Sequence, residues 1–112
     1  MDVTVEQVGS AAVVRISGSV DGLTADALQT ALQEQIETGG ARLVGDLSGV
    51  EYTSSAGLRA LLAALKLARQ KGGDLRLAAV RPTVFRVLEL SGFTSILKLY
   101  PDVDAALASF AG

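Results

Sequence analysis

Apolar residues recur along this chain with two different periods. Val3-Thr4-Val5-Glu6-Gln7-Val8 alternates in part, Gly9-Ser10 follows, and Ala12-Val13-Val14-Arg15-Ile16 resumes the apolar run. Two short β-rich runs around a two-residue link containing Gly predict a hairpin. Gly18-Ser19-Val20-Asp21-Gly22 then reads as a loop. From Leu23 to Glu37 the period lengthens. Leu28, Leu32 and Ile36 recur every four residues as one apolar stripe, and Gln29, Gln33, Glu34 and Glu37 fall mostly outside it. That is a helix, ended by Gly39-Gly40, which supplies a residue able to take positive φ.

Arg42-Leu43-Val44-Gly45-Asp46-Leu47 predicts a short strand, Ser48 to Ser54 a loop, and Ser55 to Lys71 the strongest helix of the chain. Leu58, Leu61, Leu62, Leu65 and Ala68 form its buried stripe, and basic residues gather at its C-terminal end, where the helix dipole favours them. Gly72-Gly73 stops it. A strand at 75–80 follows, then a helix from Pro82 to about Leu90 with Pro in its first turn and Gly92 at its end. Ile96 to Tyr100 predicts an edge strand, and Pro101-Asp102 opens a last helix from Val103 to Phe110 with Val103, Leu107 and Phe110 on its apolar face. The order β-β-α-β-α-β-α-β-α predicts an α/β domain. Its mixed sheet has four to five strands and is covered by about four helices. Strands 42–47 and 75–80, joined through a helix, should run parallel.

Composition narrows the chemistry. A chain of 112 residues, 49% of them hydrophobic, is one domain with a core of its own. Ten Lys+Arg against twelve Asp+Glu give a net charge of −2, so there is no basic surplus for nucleic acid. Cys and His are both absent. That removes thiolate nucleophiles, cysteine-ligated zinc, a Ser-His-Asp triad, and the commonest general base and metal ligand. The N-terminus shows no secretory signal, and no apolar run approaches the roughly twenty residues of a membrane span. A cytoplasmic chain without membrane insertion is expected.

Functional loops in such sheets lie beyond the carboxyl ends of parallel strands. Here that place is Ser48 to Ser55, where Thr53, Ser54 and Ser55 stand together at a helix start. The positive end of the helix dipole tolerates an anion there, including a phosphate carried on one of these hydroxyls. The plainest alternative is that one of them is an N-cap. No Glu or Gln stands three residues on, so no capping box forms. Gly57, in the first helical turn, is unfavourable there and allows close approach of another backbone. Asp21 reads as a cap or turn residue, and Asp46 as an acceptor for amides of the loop that follows it. Two separated carboxylates without His do not make a metal site. The basic residues are scattered and read as a solvated face. An enzymatic reading takes Ser55 as nucleophile with Lys66 or Asp46 as helper; for Lys66 it fails on distance, because residues 55 and 66 lie about 16 Å apart along a helix.

The run Asp46-Leu47-Ser48-Gly49-Val50-Glu51-Tyr52-Thr53-Ser54-Ser55-Ala56-Gly57-Leu58-Arg59-Ala60-Leu61-Leu62 resembles the signature of STAS domains, and within them the bacterial anti-sigma factor antagonists. Ile16-Ser17-Gly18-Ser19-Val20-Asp21 and Leu88-Glu89-Leu90-Ser91-Gly92-Phe93 resemble its flanking segments, so residues 1–112 read as a single STAS domain. The resemblance implies partner switching. The unmodified antagonist binds a serine-kinase anti-sigma factor and frees the sigma factor, phosphorylation by that kinase ends the interaction, and a metal-dependent serine phosphatase restores it. Matched on Gly57-Leu58, the phosphoacceptor falls on Ser55. The preceding position, often Asp in the family, is Ser54, which leaves Ser54 as a second acceptor. The following one, often Ser or Thr, is Ala56. The partner surface implied comprises Asp21, Thr53, Ser54, Ser55, Ala56, Gly57, Leu58 and Arg59. No cofactor, no metal and no enzymatic activity are implied. The alternative reading is a constitutive STAS scaffold, in a lipid-transport complex or a stress-signalling assembly, without phosphate turnover.

Overall fold

The computed structural model describes residues 1–111. Five strands and four helices follow one another in the expected order: β1 (Asp2–Val8), β2 (Ala11–Ser17), α1 (Ala25–Gly39), β3 (Arg42–Gly49), α2 (Ser55–Gln70), β4 (Asp74–Ala78), α3 (Pro82–Leu90), β5 (Lys98–Tyr100) and α4 (Val103–Ala111). The strands lie in the sheet in the order β1-β2-β3-β4-β5. Only β1 is antiparallel to its neighbour, joined to β2 by the Gly9-Ser10 turn with Gly9 at φ 61°. β2, β3, β4 and β5 pair in parallel.

Alternation along the central strands builds two cores. Ala12, Val14 and Ile16 of β2, Leu43 and Leu47 of β3 and Leu75 and Leu77 of β4 pack beneath α1, α2 and α3. Val13, Val44 and Ala78 point the other way, onto Ala106 of α4. The stripes Leu28-Leu32-Ile36 and Leu58-Leu61-Leu65-Ala68 are buried, as their spacing requires, whereas Leu62, expected in the second stripe, is only half-buried. The glycines that end α1 and α2 act as expected, with Gly40 at φ 110° and Gly72 at φ 85°.

Several boundaries differ from the sequence reading. α1 begins at Ala25, not Leu23, because the Asp21 carboxylate captures the amides of Leu23 and Thr24 in a turn. β3 runs on to Gly49, which pairs with Ser17 after a register shift. β4 spans Asp74–Ala78, because Ala79 takes φ 55°, a left-handed conformation that ends the strand. A single 3-10 turn at Phe93–Ser95 precedes β5, which therefore starts at Lys98.

One basic residue departs from a solvated face. The Arg76 side chain is only 15% exposed, its Nε 3.1 Å from Asp74 Oδ2 and its guanidinium 4.1 Å from the centroid of the Phe110 ring. Asp74 is itself buried, and its Oδ1 also accepts from Arg69 Nε at 3.1 Å and from the Leu75 amide at 3.0 Å. This cluster lies at the amino end of β4, opposite the end where β3 leads into α2.

Candidate functional site

Beyond the carboxyl ends of β2 and β3 the two chains stay paired after the regular sheet stops. The Gly18 amide donates to the Gly49 carbonyl at 2.9 Å, the Val20 amide to Tyr52 at 3.0 Å, and the Ser54 amide to the Val20 carbonyl at 2.8 Å. Val20 and Thr53 form a parallel bridge, and both are buried. One residue past this bridge stand Asp21 on one chain and Ser54 on the other. The pairing therefore sets the turn before α1 beside the start of α2.

Each hydroxyl of the Thr53-Ser54-Ser55 run has a different environment. Thr53 is buried, its Oγ1 bonded to the Ser54 carbonyl. Ser54 is half-buried and is the N-cap, its Oγ accepting from the Gly57 amide at 3.3 Å. The N-cap reading is thus met by Ser54. Ser55 is the first residue of α2, is exposed, and its hydroxyl has no hydrogen-bond partner among the described residues.

Gly57 fits a space that no other residue could fill unchanged. A Cβ there would collide with Thr53 Oγ1 and sit 2.8 Å from Val20 Cγ1. The close approach that Gly57 permits is by side chains of the bridged pair, not by backbone as the sequence suggests. Leu58 is buried as well, so Thr53, Gly57 and Leu58 support the surface from beneath. Ser55 and Arg59 are exposed, and Ala56 and Asp21 half-buried.

Asp21 holds its turn through one oxygen. Oδ1 accepts from the Leu23 amide at 2.9 Å and the Thr24 amide at 3.1 Å. Its carboxyl is held below the ordinary value, chiefly by the Leu23 amide. Partial burial opposes that effect, and the Thr24 amide and hydroxyl add to it. Asp46 accepts from the Ser48 amide at 3.0 Å and lies 3.7 Å from Arg15 Nε, a local role.

Sequence reasoning missed the braces of the loop before α2. From the start of α3, Arg81 Nε donates to the Ser48 carbonyl at 2.7 Å, and Thr83 Oγ1 to the Glu51 carbonyl at 3.1 Å. It also missed two apolar side chains on the same two loops, Leu23 at 93% exposure and Tyr52 at 54%. The sequence places Leu23 in a helix, which hides it. A lone Val20 inside a polar loop was the one signal of the bridge.

The site is a surface and not a cleft. A groove of about 680 Å³ is lined by Arg69, Phe85 and residues 94–100, away from Ser55. Among the described residues no group of three His, Cys, Asp or Glu could hold a metal, and no helix is long and apolar enough to cross a membrane.

Comparison with known proteins gives a consistent result. The STAS domain model matches residues 2–106. An anti-sigma F factor antagonist of Paenibacillus polymyxa is 33% identical over 96 residues, covering 85% of this chain and 82% of that protein. RsfB of Mycobacterium tuberculosis, an anti-sigma-F factor antagonist, is 33% identical over 112 residues, covering 98% of this chain and 89% of its own. The crystal structure of an anti-sigma factor antagonist from Mycobacterium paratuberculosis superposes with a TM-score of 0.90 at 32% identity, over 99% of this chain and 94% of that one. With its five-stranded mixed sheet, its four helices and these relatives, the chain belongs to the STAS-domain family and, within it, to the anti-sigma factor antagonists.

Proposed function

We propose that this protein acts by partner switching. Members of its family are regulatory binding proteins, not enzymes. In its unmodified form the chain binds a serine-kinase anti-sigma factor, which releases the sigma factor that the kinase held. The kinase then transfers the γ-phosphoryl group of ATP to Ser55 Oγ, with release of ADP and the hydroxyl proton, and binding ends. A metal-dependent serine phosphatase hydrolyses the ester and restores the first state. The contact surface is formed by Asp21, Ser54, Ser55, Ala56 and Arg59 over the buried support of Thr53, Gly57 and Leu58.

The observation that carries this reading is the division between Ser54 and Ser55. Ser54 is engaged as the cap, while the exposed Ser55 hydroxyl is free at the first position of α2. A dianion there is favoured by the helix dipole, so modification leaves the fold intact while placing roughly −1.5 to −2 charge on the contact surface.

The test is phosphosite mapping. The purified protein is incubated with ATP and an extract of its native host shown to contain an active anti-sigma kinase, with Ser55→Ala in parallel. Phosphate on Ser55, absent from the variant, is expected. No phosphate on the unmutated chain overturns the reading in favour of a constitutive scaffold.

A further inference from the structure

Arg59 stands four residues after Ser55 on α2, and both are exposed. Residues spaced i and i+4 are neighbours on a helix surface. Helical side chains lean toward the N-terminus, so a long side chain at 59 reaches back over residue 55. An anion that precedes its cation by four residues is also the better orientation for such a pair. Several charged groups around this end of the sheet already have partners. Arg81 donates to Ser48 and lies 3.7 Å from Glu51, Arg15 is paired with Glu6 at 2.8 Å and lies 3.7 Å from Asp46, and Asp21 is bonded within its own turn. Arg59 is in no ion pair among the described residues.

We infer that a phosphate on Ser55 is clasped by Arg59 of the same helix, so that modification withdraws a cation from the contact surface as well as adding an anion. This rests on Ser55 as the modified residue and extends that reading to how the switch works. The unmodified surface presents Arg59 free beside Ser55. In the modified surface the guanidinium is turned onto the phosphate oxygens, where its planar fork suits a bidentate bond. Both changes alter the charge that a partner meets, and they occur within one turn of one helix.

The experiment uses the full chain with phosphoserine incorporated at position 55 during translation. The phosphate's second ionisation is followed by ³¹P NMR at low ionic strength, with and without Arg59→Gln. Because both proteins carry the same helix N-terminus, their difference isolates Arg59. A coupling of the size known for exposed i,i+4 ion pairs lowers that ionisation by about 0.3 pH unit in the chain that retains Arg59. Coincident titrations of the two proteins would overturn the clasp. Position 59 is exposed and its side chain makes no hydrogen bond among the described residues, so the variant is expected to fold, and its circular dichroism checks this. The phosphate is installed without any kinase, so failure of the clasp is separate from failure of Ser55 as the kinase's target, which the mapping experiment reads.

Discussion

The Ser54 hydroxyl accepts the Gly57 amide at 3.3 Å, which fixes the start of α2 immediately before the exposed Ser55. Replacing Ser54 by Ala removes the cap and is expected to lower stability by about 1 kcal/mol. The urea midpoint should fall, while phosphorylation at Ser55 persists. Phosphate mapped to Ser54 in the unmutated chain, and lost in Ser54→Ala, would mean that Ser54 is itself the acceptor.

Gly57→Ala is expected to destabilise, against the ordinary rule for helices. Gly→Ala in a helix interior gains about 1 kcal/mol. Here the new methyl meets Thr53 Oγ1 and Val20 Cγ1, and overpacking a tight interior costs about 1–3 kcal/mol. Thermal and urea denaturation should both show a net loss. A second change, Val20→Ala, should recover part of it, because the two positions share one space.

Asp21 gives the fold an acid-sensitive element. Its carboxyl is held below the ordinary carboxylate value in the folded chain because the Leu23 amide, aided by Thr24, stabilises the charged form. The contribution is therefore complete above that value and is lost as pH falls through the lowered folded value. Asp21→Asn should flatten the decline of the urea midpoint below about pH 4. An unchanged slope would show that other carboxylates carry the acid response.

At the far end of the sheet, Asp74→Ala leaves Arg76 between Phe110 and an empty place. Arg76 is mostly buried, so stranding its charge is expected to cost about 2–4 kcal/mol. Ser109 Oγ, which accepts from the other arm of the guanidinium at 2.8 Å, limits the loss. Partner binding should survive in the fraction that remains folded, because this cluster sits at the opposite ends of β3 and β4 from Ser55. Chemical denaturation and a binding assay, run on one preparation, separate the two effects.

Order and type of the elements were legible because the apolar period reports which face is buried. Leu28-Leu32-Ile36 and Leu58-Leu61-Leu65 needed nothing else. Boundaries were not legible where a side chain or a single φ decides them. The Asp21 carboxylate delays α1 by two residues, and Ala79 at φ 55° cuts β4 short. For the site, the hydroxyl run and its helix were legible, but not which hydroxyl does what. That division depends on Val20 docking against Thr53 and Gly57 from a distant segment, a contact whose one trace in the sequence is a single apolar residue in a polar loop. Arg81 and Thr83 stayed hidden for the same reason. Nothing local says that a residue at the start of α3 will hold the carbonyls of Ser48 and Glu51.

Thr53 is sealed beneath the surface and Ser54 is held at its cap, so of three adjacent hydroxyls one is free to be written on. Under the proposed phosphorylation of Ser55, each molecule carries a single binary mark. A cell using this protein would encode signal strength in the proportion of marked molecules, with no intermediate state on any one of them. Isoelectric focusing of a partly modified population should resolve two species, and their ratio alone would report the signal.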